Sequence, residues 1–171
     1  WNSTFYKWNG VLFDSDIVRS AVRPKANAVG KLIAKHIRGT GSDSTLYPSP
    51  YLKKILANPN PYMSMQDFLT KMTFQRELHN NAFAYVTRDY AGYPSEVYPI
   101  PFSTVKLLET QDTLFVRFDF LLGKHMTVLY EDLIHLRKDF NSNDFFGDSG
   151  TLAITNVMDV ITTTDQGIVH A

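Results

Sequence analysis

Residues 64–88 read SMQDFLTKMTFQRELHNNAFAYVTR, from Ser64 to Arg88, and carry the chain from one kind of secondary structure into the other. Ser64 followed by Asp67 resembles a capping box with Asp in place of Glu, so a helix opens here. Phe68, Leu69, Met72 and Leu78 then fall on one side of that helix. Asn80 and Asn81 end it, because Asn tolerates the left-handed conformation that a helix stop often needs. From Ala82 to Arg88 the period drops to two, with aromatic or aliphatic residues alternating with smaller ones, as in a strand. A helix feeding directly into a strand fixes the class of fold that the flanks must complete.

Downstream, turn signals separate short strand-like runs. Asp89-Tyr90-Ala91-Gly92 turns the chain into a brief strand at Glu96 to Ile100, closed by Pro99 and Pro101. Strands follow at Thr104 to Leu108, Leu114 to Phe120, Lys124 to Tyr130 and Leu133 to Arg137, with turns at Gln111-Asp112 and Leu122-Gly123. In Phe115 to Phe120 the charges lie on one face and the aromatics mostly on the other, the pattern of a half-buried antiparallel strand. Asp139 to Gly150 reads as a polar loop. Thr151 to Val169 reads as a last helix, which depends on packing because Thr162, Thr163 and Thr164 are poor helix formers.

Upstream, Tyr51 to Ala57 makes a short helix stopped by Asn58-Pro59-Asn60-Pro61. Before it, Val18, Val22, Val29, Ile33 and Ile37 recur at near-helical spacing, with Arg19, Arg23, Lys31, Lys35 and Arg38 mostly on the other side. Asp14-Ser15-Asp16 supplies the capping residues. The spacing predicts an amphipathic helix of roughly two dozen residues, ended by Gly39. Pro24 opposes this, so the helix either kinks there or starts nearer to it. The expected fold is therefore α+β: N-terminal helices followed by an antiparallel β meander and a C-terminal helix. As a single domain it divides into a mainly helical part (1–80), a strand part (81–138) and a loop-and-helix part (139–171).

Composition narrows the function. The chain has 171 residues, 44 % of them hydrophobic and 20 % charged, which suits a folded domain rather than a disordered one. It has no cysteine, which excludes a disulfide framework, a thiolate metal site and a cysteine nucleophile together. No apolar run is long enough to cross a bilayer, so no membrane partner is expected. The first residue is Trp1, consistent with a processed or trimmed piece. Seventeen basic and seventeen acidic side chains give zero net charge, but residues 1–54 hold nine basic groups against three acids, +6, and the remainder holds −6. Such polarity points to surfaces that meet opposite charge, on nucleic acid or on another copy.

Chemical motifs are few. Asp139, Asn141 and Asn143 mimic the first three ligands of a calcium loop, but Asp144 and Gly150 stand where glycine and glutamate belong, so calcium is rejected. His125 and His135 lie on neighbouring strands while His36, His79 and His170 are scattered, and none has a ligand partner at metal spacing. Gly39-x-Gly41 lacks the rest of a phosphate loop, and there is neither a GxSxG elbow nor an HExxH pair. Glu131-Asp132 reads as a solvated turn. No catalytic residue, cofactor or metal is expected. The basic helix face remains, with Arg19, Arg23, Lys31, Lys35 and Arg38 as candidate subunit-interface or phosphate-facing residues. The alternative reading is a small nucleic-acid-binding module that uses this same helix.

Several segments resemble, in order, the portal proteins of tailed bacteriophages. Ile55 to Pro61, then Phe68, then Asn80-Asn81-Ala82-Phe83 is similar to that family's "LL..PN…F…GNAY" run. Arg88-Asp89, Gly92-x-Pro94 and Val97 to Pro101 continue the likeness. Leu133-Ile134-His135-Leu136-Arg137 is similar to its "viHir" strand, and Gly147-Asp148-Ser149-Gly150 to its "G.Sp" segment. Asn80 stands where the family usually has glycine, and Gly150 where proline is common.

The resemblance implies a structural subunit, not an enzyme, of a homo-oligomeric ring, typically a dodecamer, at one capsid vertex. Double-stranded DNA passes through the ring in packaging and ejection. Terminase, the major capsid protein and head–tail connector proteins are the implied partners, and the ATPase activity belongs to the terminase. Localisation would be the portal vertex of the virion, and the host cytoplasm during assembly. Portal chains are usually more than twice this long, so the sequence is expected to cover mainly the outer wing region.

Overall fold

The computed structural model describes residues 15–110, 113–120, 123–139 and 145–148. Three helices come first: α1 (Asp16–Gly30), α2 (Pro50–Ala57) and α3 (Met65–His79). Between α1 and α2 lie two-residue strands β1 (Ile37–Arg38) and β2 (Thr45–Leu46), joined through a 3-10 turn at Gly41–Asp43. Six longer strands follow: β3 (Asn81–Arg88), β4 (Pro94–Pro99), β5 (Thr104–Thr110), β6 (Thr113–Asp119), β7 (His125–Leu129) and β8 (Leu133–Arg137). The architecture is α+β and every strand pairing is antiparallel. The helix expected at Thr151 to Val169 and the turn at Gln111-Asp112 lie outside the described residues.

The junction between α3 and β3 forms as its residues dictate. Asp67 N–H donates to Ser64 Oγ at 3.2 Å and Ser64 N–H to Asp67 Oδ2 at 3.2 Å, a reciprocal cap. The hydroxyl of Ser64 also donates to that carboxylate, and these bonds hold Asp67 below the usual carboxylate range. At the other end Asn80 sits at φ 54°, in the left-handed region, and turns the chain straight into β3.

Strand order does not follow chain order. β3 is the centre of a sheet with β4 on one side and β8 on the other, while β5, β6 and β7 form a separate meander between them in sequence. This explains why Asn81 to Tyr85 alternates small and aromatic residues. Ala82 and Ala84 face the helices and pack with Ile55, Phe68, Met72 and Val97. Phe83 faces the other way and packs with Ile100, Val116 and Phe118. Both faces of β3 are thus buried, and alanine on one of them lets the helices approach closely. The outer edge of β4 is closed by the Asn58–Pro61 turn: Val97 N–H donates to the Pro59 carbonyl at 2.7 Å, and Asn60 Nδ2 to the Val97 carbonyl at 2.8 Å.

The N-terminal helix departs from its expected length. It ends at Gly30 with Lys31 as its cap, so it does not extend to Gly39. Val18, Val22, Ala26 and Val29 do form one stripe against α3, and Pro24 lies within the helix on its solvent side. The stop has a packing cause. Lys25 meets Glu77 near the end of α3, and Gly30 lies against Gln66 and Thr70 near its start. The two helices therefore run antiparallel, and a longer α1 would pass beyond the first turn of α3 with nothing to bury its apolar stripe. Ile33 and Ile37 instead lie exposed past the helix. Gly39, with φ 91°, turns the chain between β1 and β2.

Candidate functional site

The five candidate cations do not share one face. Arg19 and Arg23 lie on α1, Lys31 caps it, Lys35 lies in the following loop and Arg38 is in β1. Arg19 is bridged to Asp16 one turn earlier. Arg23, Lys31, Lys35 and Arg38 make no ion pair among the described residues.

A neighbouring basic residue that the spacing did not single out, Lys25, forms an ion pair from α1 to the body of the molecule. Its Nζ lies 2.8 Å from Glu77 on α3, and Lys138 Nζ reaches the other carboxylate oxygen at 3.2 Å. Arg76 approaches the same carboxylate at 3.3 Å. Burial alone would raise the Glu77 pKa, but the Lys25 and Lys138 ammonium groups outweigh it and hold the carboxyl below its ordinary range. One acid thus joins α1, α3 and the end of β8. Beside it opens a groove of about 530 Å³ lined by Lys25, Val29, Arg76, Leu136 and Arg137, positive in character.

The densest polar geometry centres on Asn81 and reaches His135 of β8, which also lines that groove. Asn81 spends every hydrogen-bonding valence of its side chain in a buried knot. Its Nδ2 donates to the His79 carbonyl at 3.0 Å and the Gly147 carbonyl at 3.1 Å. Its Oδ1 accepts from Gly147 N–H at 2.7 Å and meets His135 Nε2 at 3.0 Å. Since Oδ1 is an acceptor, the network assigns the proton of His135 to Nε2. Nδ1 then accepts from the Tyr130 hydroxyl at 3.1 Å. The imidazole stacks on Phe83, with ring centroids 4.0 Å apart. Burial, with a contribution from the Arg137 charge, pushes its pKa down to about 4, so the ring is neutral near pH 7.

Neighbouring bonds extend the knot. Asn80 Nδ2 donates to the Asp148 carbonyl, Lys138 N–H to the Asn80 carbonyl at 2.9 Å, and Asp148 N–H to the Asp139 carbonyl at 2.7 Å. A Cβ on Gly147 would run into the backbone carbonyls of Asn80 and Lys138, so only glycine fits there. Asn80-Asn81, His135 and Gly147 are three motif segments far apart in sequence, and the knot is where they meet.

Chemically the knot is a fastener. Both ring nitrogens of its histidine are engaged, Nδ1 by the Tyr130 hydroxyl and Nε2 by Asn81. Among the described residues no group of three or more His, Cys, Asp or Glu is placed to hold a metal ion, and no helix is long and apolar enough to cross a membrane. The calcium-like residues Asn141 and Asn143 lie outside the described residues. His125 and His135 lie at different places, β7 in one sheet and β8 in the other.

These features define an α+β building block in which a histidine–asparagine knot ties a glycine-containing loop onto the central strand. The family model described as phage portal protein matches residues 16–168, and the chain belongs to that family. Solved structures share the fold. A chain from the neck of an empty GTA particle computed with C6 symmetry superposes with a TM-score of 0.74 at 13 % identity, covering 92 % of this chain and 43 % of that one. A chain from the virion of a native gene transfer agent particle gives 0.70 at 13 % identity, covering 95 % and 43 %. One from the neck of a native GTA particle computed with C12 symmetry gives 0.69 at 12 % identity, with the same coverage. The chain therefore spans less than half the length of each. A search of curated proteins finds no match.

Proposed function

We propose that this chain is the wing-like part of a portal subunit, a structural component of a homo-oligomeric ring at one vertex of a phage-like particle. Full-length copies would form the ring, a dodecamer, and double-stranded DNA would pass through its channel in packaging and ejection. Terminase, the major capsid protein and head–tail connectors would dock on it, first in the host cytoplasm and then in the virion. The carrying observation is the portal family match over residues 16–168, on a fold shared across 92 % of the chain with a particle-neck protein.

On this reading the chain works by shape and assembly, and catalysis belongs to a partner. The internal fasteners fit that role: Glu77 pins α1, and the Asn81 knot pins the Gly147 loop, so each copy presents fixed surfaces to its neighbours. The positive N-terminal region of one copy would face acidic groups of the next. The nucleic-acid-module alternative is less favoured, because its five cations are spread over a helix, a cap, a loop and a strand.

The test uses the full-length gene product. Native mass spectrometry and electron microscopy should find closed rings with a central channel. A full-length protein that stays monomeric across concentration and salt would overturn the reading. Salt-sensitive DNA binding by such a monomer would favour the alternative.

A further inference from the structure

Residues 31–46 leave α1, make the two-residue pairing of β1 with β2, and return towards α2. Two strands of this length cannot hold themselves together in water. Yet the segment exposes Leu32 (62 %), Ile33 (80 %), Ile37 (56 %) and Leu46 (52 %), a density of bare aliphatic surface that marks a contact site. It also carries Lys31, Lys35 and Arg38 against a single acid, Asp43. Those three cations have no ion pair among the described residues.

A surface of complementary character lies elsewhere on the same chain. Tyr62, 84 % exposed, and Asp67 line a shallow depression at the start of α3. Asn60, in the same depression, bonds to the Val97 carbonyl and so joins it to β4. There Glu96 Oε2 accepts from the Tyr98 hydroxyl at 2.6 Å. Neither Asp67 nor Glu96 has an ion-pair partner among the described residues. Ile134 and Leu136 are exposed as well, but Leu136 lines the groove with Lys25, Arg76 and Arg137, whose charge would repel a basic segment.

We infer that residues 31–46 form an arm that docks on a second copy of this chain, its aliphatic side chains against Tyr62 and its cations against Asp67 and Glu96. The arm and its receptor are different patches, so the contact is head-to-tail, the kind that closes into a ring when the rotation between copies is fixed. This rests on the ring reading above and names the surface that would carry it.

The experiment compares full-length wild type with an Ile33→Glu/Ile37→Glu variant by mass photometry, with thermal melting as the control for folding. Both positions are exposed, so melting should not change. The concentration for half-assembly should rise more than about 100-fold, as for loss of two interface anchors. Lys35→Glu should weaken assembly, and adding Glu96→Lys should restore it. These 171 residues hold no cysteine, so in a full-length background with any cysteine elsewhere replaced by serine, Ile37→Cys with Tyr62→Cys should give an oxidised ladder of linked chains on a denaturing gel. Wild-type rings together with unimpaired variant rings would overturn the arm and leave the ring reading standing. Crosslinks confined within single chains, or none, would overturn the receiving surface. Wild type that never forms rings would overturn the ring reading and the arm with it.

Discussion

Asn81 and His135, 54 residues apart, share a hydrogen bond of 3.0 Å that joins the first residue of β3 to the middle of β8. The same Asn81 oxygen accepts from Gly147 N–H, so one side-chain atom couples the central strand, the edge strand and the following loop. Removing that side chain orphans several buried groups at once, and each costs more than the net worth of an ordinary hydrogen bond.

Asn81→Ala is accordingly expected to destabilise the chain by about 3 kcal/mol, near the upper end for a single polar deletion. Urea unfolding would show it as a lower midpoint at unchanged slope. A loss below about 1 kcal/mol would mean that the knot is not a fastener.

Asn80 makes the opposite kind of prediction. Its φ of 54° favours glycine, while its side chain donates to the Asp148 carbonyl. Asn80→Gly relieves the backbone and loses that bond, so the two effects nearly cancel, to within about 1 kcal/mol. Asn80→Val loses the bond and also places a β-branched residue at positive φ. It should cost at least about 2 kcal/mol, read from the same unfolding curves.

Much of this fold was legible because local chemistry and global packing agree along it. The capping box at Ser64 and Asp67, the stop at Asn80 and the strand at Leu133–Arg137 are set by short-range rules, and the structure follows them. The sequence misled where a partner outside the local window decides. Ile33 and Ile37 continue the spacing of α1, but α3 does not reach them, so the helix stops at Gly30. The alternation from Ala82 to Arg88 shows a strand but not that helices cover Ala82 and Ala84. The pairing of β8 with β3, across a whole inserted meander, carries no local signal. The role of His135 was hidden for the same reason. Its partners, Asn81 and Tyr130, become neighbours only through that pairing.

The stability of the chain should depend on pH through His135. Burial holds its folded pKa at about 4, below the ordinary value of 6.5. Between these values the unfolded chain binds more protons, so stability is whole above pH 6.5 and falls as pH drops towards 4. The half-buried His79 is shifted in the same direction, by partial desolvation. Glu77, held below 4.5, adds its own loss only at lower pH. Melting temperature measured from pH 7 to 4.5 should therefore decline, and His135→Gln, neutral throughout, should show a shallower decline from a lower starting point. Parallel curves for the two proteins would sink this account.

Charge at the start of α1 bears on assembly rather than on folding. Arg23 is exposed and makes no ion pair among the described residues, whereas Arg19 is bridged to Asp16 on its own helix. On the ring reading, reversing both should weaken assembly of the full-length protein, with Arg23→Glu alone giving most of the effect. Arg19 lends less because its charge is already partly compensated. Surface pairs are screened over about 10 Å at 0.1 M salt, so the difference between wild type and variant should shrink as salt is raised. Sedimentation velocity at low and high salt reads this directly. Equal assembly of wild type and the Arg19→Glu/Arg23→Glu variant at both salts would remove this helix from the interface, and the arm that follows it would have to supply the contact without it.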